Sequence, residues 1–139
     1  MSVIVVGVDG SETAAQAART ATELATALQA DLLVVSAFPA TVPDRAVSTD
    51  GPTARDAAEK VAHDAAAALR AAHPTLTVTD EAEPGKPGEA LASAAETAGA
   101  SLIVVGNKRV QGVTRILGNV AGDVVRKAPC DVYIAHTHG

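Results

Sequence analysis

The sequence has almost no aromatic residues and only one cysteine. Its 139 residues include no tryptophan, one tyrosine and one phenylalanine, so alanine, valine, isoleucine and leucine must build the core. The single thiol, Cys130, excludes an internal disulfide, and its position just before an apolar run favours a buried thiol over a redox centre. A chain of 139 residues fits one domain, residues 1–139, because two cores of half that size would bury too little surface.

Basic residues and long apolar runs are also scarce. The formal net charge is −5, and no run of lysine or arginine occurs outside residues 108–115, which argues against general nucleic-acid binding. No apolar run approaches the roughly 18 residues that span a bilayer, and the N-terminus lacks the pattern of a signal peptide. We therefore expect a cytoplasmic protein with no membrane segment and one local basic site for a small anion.

The apolar pattern alternates between strands and helices along the whole chain. Continuous β-branched runs predict strands buried on both faces, and alanine and leucine at helical spacing predict amphipathic helices. The predicted strands are 3–8, 32–37, 76–79, 102–105 and 132–135, and the predicted helices are 12–29, 53–72, 89–98 and about 119–127. This alternation predicts an α/β fold, with a parallel sheet covered by helices on both faces. The polar 76–79 strand is expected at a sheet edge.

Two of the buried strands end in glycine-bearing turns. The first strand continues into Asp9-Gly10-Ser11, the fourth into Gly106-Asn107-Lys108-Arg109, and Gly118-Asn119 precede the last helix. Ligands of open parallel sheets bind beyond the carboxyl ends of strands, and helix N-termini attract anions. Taken singly, each motif is better explained as a turn or a helix cap. Their combination predicts a nucleotide-binding crevice with a carboxylate on one wall and cations on the other.

The order and spacing of five motifs resemble the universal stress proteins of the UspA type over essentially the whole chain. These motifs are Val6-Gly7-Val8-Asp9-Gly10-Ser11, Gly85-Lys86-Pro87, Leu102-Ile103-Val104-Val105-Gly106-Asn107, Leu117-Gly118-Asn119-Val120 and Ala128-Pro129-Cys130-Asp131-Val132. The resemblance implies a five-stranded sheet of order 3-2-1-4-5, similar to the Rossmann-like, adenine-nucleotide alpha hydrolase-like folds. It also implies a homodimer joined mainly through the last strand, at Val132, Tyr133 and Ile134.

In one branch of that family the resemblance implies bound ATP, with Mg²⁺ a possible companion. Carried over, the implied nucleotide-binding residues are Gly7, Val8, Asp9, Ala37, Val105, Gly106, Asn107, Lys108, Arg109, Gly118, Asn119, Val120 and Ala121. The first three would lie by ribose and adenine, Ala37 would border the base, and the residues from Gly106 onward would surround ribose and phosphates.

The chain departs from the ATP-binding pattern of that branch at three points. Arg109 stands where a second glycine is expected, eight residues instead of nine separate Arg109 from Gly118, and Asn119 replaces a hydroxyl residue. The Arg109 side chain would either obstruct phosphate or bind it in a bidentate fashion. ATP, AMP and cyclic AMP therefore all stay open as ligands.

Signatures of catalysis are missing from the sequence. There is no phosphate-binding loop ending in Gly-Lys-Ser/Thr, no Gly-x-Ser-x-Gly elbow and no histidine or cysteine pattern at metal spacing. His136 is expected to lie in a frayed tail. We therefore expect that the protein is not an enzyme, and that any ATPase activity is weak and incidental. Three hypotheses are left: a nucleotide sensor or reservoir, a ligand-free stress protein acting through protein partners, and a weak ATPase or transferase.

Overall fold

In the computed structural model, residues 2–40, 53–107 and 120–137 are described. Strands and helices alternate along these ranges, as the sequence predicts. The strands are β1 (Val3–Gly7), β2 (Asp31–Phe38), β3 (Val78–Pro84), β4 (Leu102–Gly106) and β5 (Asp131–Ala135), and the helices are α1 (Glu12–Leu28), α2 (Ala54–Ala72), α3 (Pro87–Ala98) and α4 (Val120–Lys127). Apart from β3, each bound lies within two residues of its prediction.

The five strands form one parallel sheet in the order β3-β2-β1-β4-β5. Parallel neighbours require crossover connections, and the helices occupy these connections along the chain. The order confirms the one implied by the resemblance. It also places β1 in the middle, with β2 on one side and β4 on the other, so that the chain winds outward from β1 in two directions.

The core consists of two layers, one on each face of the sheet. Ile4 and Val6 of β1 belong to the apolar cluster that includes buried alanines of α1 and α2, whereas Val5 belongs to the cluster with Leu91 of α3 and Val124 of α4. Alternate side chains of a strand point to opposite faces, so a continuous run of valine and isoleucine fills both layers. The small alanine side chains of the helices let the helices pack close to the sheet.

The prediction of the third strand as 76–79 was wrong, because β3 begins at Val78 and extends to Pro84. The C-terminal extension of β3 is explained by its partner strand. The longer β2 pairs with β3 from Leu32–Val78 through Phe38–Pro84. β3 is an edge strand, as predicted, so acidic side chains and a terminal proline are tolerated there. These residues look like a loop when only local propensity is considered.

Helix ends follow ordinary capping chemistry. Thr53 and Asp56 form a reciprocal capping box at the start of α2, with both hydrogen bonds at 3.1 Å. Helix α3 begins at Pro87, two residues before the predicted start, because proline fits the first helical position, where no backbone donor is required. Within the described ranges, no helix is both long enough and apolar enough to cross a membrane.

Candidate functional site

The carboxyl edge of the sheet opens between its two central strands. Pairing of β1 with β4 ends at Val6 and Val104. Beyond that point β1 continues with β2, through Gly7–Val35 pairing and a 2.9 Å hydrogen bond from Val8 N–H to the Val35 carbonyl. In an open α/β sheet, this divergence of winding is where ligands bind. We call the gap between the ends of β1 and β4 the strand-end crevice.

On the side away from β1, the end of β4 is held by β5. Gly106 at the end of β4 pairs with Ala135, and the Asn107 N–H donates a hydrogen bond of 3.1 Å to the Ala135 carbonyl. The strand order implied by the resemblance, in which the first and fourth strands are neighbours, is confirmed by the pairing of β1 with β4. The ends of β1 and β4 therefore lie beside each other at the carboxyl edge of the sheet.

The β1 turn is shaped by side-chain hydrogen bonds to its own backbone. The Ser11 N–H donates to Asp9 Oδ1 at 2.9 Å, and Ser11 Oγ accepts from Ala14 N–H at 3.1 Å as the N-cap of α1. Gly10 between them has φ +87°, a conformation that side chains disfavour. Asp9 is exposed, so one carboxylate shapes the turn and still faces solvent at the strand end.

Gly7 has a packing role. A methyl group in place of its hydrogen would lie 2.8 Å from Leu91 Cδ1, and Leu91 is a buried side chain of α3. The glycine therefore lets α3 approach the end of β1. Its backbone is still at the crevice, and its assignment as a nucleotide-binding residue stays a prediction.

Asn107 is held by the tail that follows β5. Its Oδ1 accepts two hydrogen bonds from Thr137, one from the backbone N–H at 2.9 Å and one from the hydroxyl at 3.1 Å. Thr137 is only 8% exposed, so its polar atoms need these partners. The expectation of a frayed tail was wrong for residues up to Thr137, although His136 itself is exposed.

Gly106 lies between two threonine side chains. Its missing side chain would meet Thr13 Cγ2 at 3.1 Å and Thr137 Cγ2 at 3.3 Å. The first turn of α1, the end of β4 and the tail after β5 therefore converge on Gly106. Sequence reasoning missed Thr13 and Thr137, because neither belongs to a motif and only the fold brings them to this glycine.

Five other residues of the predicted nucleotide site have apolar side chains, so only their backbone groups could form hydrogen bonds with a ligand. Val8 and Val105 are 7% and 3% exposed and belong to the core clusters. Ala37 is half-buried, and Val120 and Ala121 begin α4 with exposed and half-buried side chains. The assignment of these five residues to a nucleotide site stays a prediction. Lys108, Arg109, Gly118 and Asn119 lie outside the described residues.

The last residue of β2 is aromatic and contacts α2. Phe38 follows Ala37 at the end of β2, and the Arg55 guanidinium carbon of α2 lies 5.3 Å from its ring centroid. A cation over an aromatic face at this distance is attractive. The Gly85 N–H donates to the Phe38 carbonyl at 2.8 Å, which fixes the end of β2. Local sequence pattern does not reveal this contact, because the fold brings α2 and the end of β2 together.

The thiol of Cys130 is not activated as a nucleophile. Burial, followed by the Asp131 carboxylate, raises the pKa of the half-buried Cys130 thiol, which disfavours the nucleophilic thiolate. Among residues 2–40, 53–107 and 120–137, no group of three or more histidine, cysteine, aspartate or glutamate side chains is arranged to hold a metal ion.

The fold and the strand-end crevice define the class of protein. It is a parallel α/β domain that winds outward from a central strand, with a crevice where the winding reverses. Within this class, the family model "Universal stress protein family" matches residues 1–136. Universal stress protein Rv1636 of Mycobacterium tuberculosis H37Rv is 33% identical over 146 aligned positions, covering 96% of this chain and 95% of that protein. The chain belongs to the universal stress protein family.

Solved structures support the same assignment. A universal stress protein in complex with cAMP is 29% identical, with a TM-score of 0.77 and coverage of 99% of this chain and 98% of that one. The universal stress protein from Archaeoglobus fulgidus is 25% identical, with a TM-score of 0.74 and coverage of 96% and 98%. The crystal structure of Rv1636 is 31% identical, with a TM-score of 0.61 and coverage of 99% and 96%.

Proposed function

We propose that this universal stress protein binds an adenine nucleotide in the strand-end crevice and acts as a nucleotide sensor or reservoir. The observation that carries the proposal is the divergence of β1 and β4 after Val6 and Val104. It leaves a gap at the carboxyl edge, flanked by the Asp9 turn and by Asn107. Such a gap is the usual ligand position in open parallel sheets.

A similar structure contributes the choice of ligand. The 29% identical universal stress protein was solved in complex with cAMP, an adenine nucleotide with one phosphate. The two crevice walls suit the chemistry of such a molecule: a carboxylate accepts hydrogen bonds from ribose hydroxyls, and backbone or amide donors meet phosphate oxygens. AMP and cyclic AMP therefore join ATP, with or without Mg²⁺, as candidate ligands.

In this proposal the binding residues are those that the sequence indicates. Asp9 would meet the ribose, Ala37 would border the base, and Asn107 would meet ribose or phosphate. Lys108 and Arg109 would supply positive charge. The remaining members of the proposed site are Gly7, Val8, Val105, Gly106, Gly118, Asn119, Val120 and Ala121. The proposal also includes a single domain over residues 1–139 and a cytoplasmic location.

The proposal does not include an enzymatic reaction. Among the described residues of the two turns, 7–11 and 106–107, there is no histidine, cysteine or lysine that would act as a base or nucleophile. Any ATP hydrolysis would be slow and incidental to binding.

The proposed assembly is a homodimer joined through β5. Tyr133 and Ile134 of this edge strand are 44% and 46% exposed, and Val125 of the adjacent α4 is 54% exposed. An exposed apolar edge strand is a surface that a second copy would cover. Val132, the third residue predicted at this seam, packs partly against the cluster under α4 and would contribute less area.

Calorimetric titration of the nucleotide-stripped protein with Mg-ATP, AMP and cyclic AMP tests the proposal. Saturable binding near one ligand per chain is expected for at least one of the three. No heat with any of them at high concentration would contradict nucleotide binding. It would favour the second candidate, a stress protein acting through protein partners, which the replacement of the motif glycine by Arg109 supports.

A further inference from the structure

The bond pattern at Asn107 determines the orientation of its amide. A backbone N–H only donates, so the group that faces the Thr137 N–H at 2.9 Å must be the amide oxygen. The Thr137 hydroxyl occupies the same oxygen at 3.1 Å. The amide nitrogen, on the other branch of the planar group, is therefore directed away from Thr137.

This orientation decides which chemistry Asn107 offers to a ligand. With Oδ1 engaged twice by Thr137, the side chain presents its NH₂ group as a hydrogen-bond donor. Phosphate oxygens and ribose oxygens accept hydrogen bonds, so a donor is what a nucleotide requires at this wall of the crevice. A freely rotating asparagine would present oxygen and nitrogen in alternation, and would lose rotamer freedom on binding.

The tail that carries Thr137 is itself well anchored. Ala135 is 2% exposed and its carbonyl accepts the Asn107 N–H, while Thr137 is 8% exposed. The Thr137 methyl group also packs at Gly106, where a side chain would approach Cγ2 to 3.3 Å. The end of β4 and the end of β5 thus form one contact unit, which we call the Asn107–Thr137 clamp and which consists of Gly106, Asn107, Ala135 and Thr137.

We propose that Thr137 is a positioning residue for the nucleotide site, acting through the amide of Asn107. This inference rests on the proposed nucleotide binding and deepens it. Thr137 itself need not touch the ligand. It holds the Asn107 oxygen so that the amide donor is ready before the nucleotide arrives, and this pre-organisation lowers the entropic cost of binding.

The decisive variant is Thr137→Val. Valine keeps the shape, the methyl group near Gly106 and the backbone N–H, but it removes the hydroxyl that donates to Oδ1. We expect the Kd of whichever of AMP, cyclic AMP or Mg-ATP binds best to rise about threefold to tenfold, the scale of one lost hydrogen bond. Thr137→Ser keeps the hydroxyl and is expected to recover most of the affinity.

Thr79→Val is the matched control. Thr79 is exposed on β3, at the far edge of the sheet from β5, and the same chemical change there should leave the Kd within twofold of wild type. Thermal unfolding of every variant separates positioning from stability, since a purely structural role would lower Tm while the folded protein kept its affinity. NMR shifts of the Asn107 side-chain amide provide a ligand-free readout, and we expect Thr137→Val to move them and Thr79→Val to leave them unchanged.

The outcomes are distinct. If wild type binds none of the three nucleotides, both the proposed function and this inference fail. If wild type binds and Thr137→Val binds equally well, the nucleotide site stands and the positioning role is rejected. If affinity falls in the valine variant and returns in the serine variant, with Tm of the two variants alike, the hydroxyl of Thr137 positions the site.

Discussion

At the scale of single residues, Asp9 combines two roles at the end of β1. Its carboxylate accepts the Ser11 N–H at 2.9 Å and is exposed to solvent. A carboxylate accepts several hydrogen bonds at once, so the same side chain can shape the turn and meet a bound ribose.

Asp9→Ala is expected to weaken nucleotide binding about tenfold without unfolding the chain, because the lost group is exposed and charged. Calorimetry gives the affinity and thermal denaturation gives the stability. Asp64→Ala is the control, since Asp64 is an exposed aspartate of α2 in an ion pair with Lys60. Equal affinity of the Asp9 variant and wild type would remove Asp9 from the site.

Arg109→Gly distinguishes the two roles that the sequence permits for this side chain. If the guanidinium binds phosphate, the variant should lose about tenfold or more in affinity for ATP, the scale of a lost charge-assisted hydrogen bond. If the side chain obstructs phosphate, affinity for ATP should rise. Titration with Mg-ATP decides between them, and an unchanged Kd would place Arg109 outside the site.

Gly88 shows how a single missing methyl group brings two helices together. A side chain at Gly88 in α3 would collide with Cβ of Asp123 in α4. Both helices cover the same face of the sheet, with Leu91 and Val124 in one cluster.

Gly88→Ala should therefore lower the free energy of unfolding by about 1–3 kcal/mol, the usual cost of overpacking, despite the better helix propensity of alanine. Urea denaturation measures the change. Glu96→Ala, at an exposed position of the same helix, should change stability by less than about 0.5 kcal/mol. A neutral or stabilising effect at Gly88 would show that α3 and α4 separate readily.

At the scale of elements, β3 carries acidic residues on a partly covered face. Burial, followed by the charge of Glu83 and a hydrogen bond with it, raises the pKa of Glu81. The Ser93 hydroxyl of α3 donates to Glu83 Oε2 at 3.2 Å. The Glu83 carboxylate is thus stabilised by α3, whereas ionisation of Glu81 is unfavourable in the folded protein.

Glu81→Gln should stabilise the protein at pH 7. A carboxyl group whose pKa is raised on folding stabilises the fold below its unfolded pKa, and that contribution is lost as pH rises through the folded pKa. The gain from glutamine is therefore expected at neutral pH and should disappear below about pH 4, where both states are protonated. Urea denaturation at several pH values measures it, with Glu96→Gln as the control. A gain that persists at pH 3 would contradict this cause.

At the scale of the whole molecule, most of the exposed large apolar side chains in the described part of the chain lie on β5 and α4, and Leu28 of α1 is the exception. Tyr133, Ile134 and Val125 are each more than 40% exposed. β5 is also a sheet edge. Thr137 of the Asn107–Thr137 clamp lies three residues after Ile134 in the chain. The proposed dimer seam on β5 and the segment that holds Asn107 are therefore directly connected.

Tyr133→Lys or Ile134→Asp should convert a β5-joined dimer into monomers, because a buried unpaired charge at an apolar seam costs several kcal/mol. Sedimentation velocity measures the oligomeric state. Leu28→Asp is the control, since Leu28 is 58% exposed at the end of α1. An unchanged dimer in both β5 variants would reject this arrangement.

Local pattern in the chain was sufficient for the element types and for the α/β class. Runs such as 3–8 and 102–105 are apolar at every position, and this indicates strands buried on both faces before any contact is known. The exception, β3, mixes acidic residues with small apolar ones, and its length is set by pairing with β2. An edge strand takes its register from its neighbour, so local propensity is a weak guide there.

The strand-end turns were also recognisable in the chain, because Asp9-Gly10-Ser11 and Gly106-Asn107 interrupt apolar runs. Folding alone decided what surrounds them. Three features depend on segments that are distant in sequence. They are the end of β1–β4 pairing at Val6, the approach of Leu91 to Gly7 and the hydrogen bonds between Thr137 and Asn107. Composition and periodicity report one segment at a time, whereas hydrogen bonding and close packing are satisfied between segments, and only the folded chain brings those segments together.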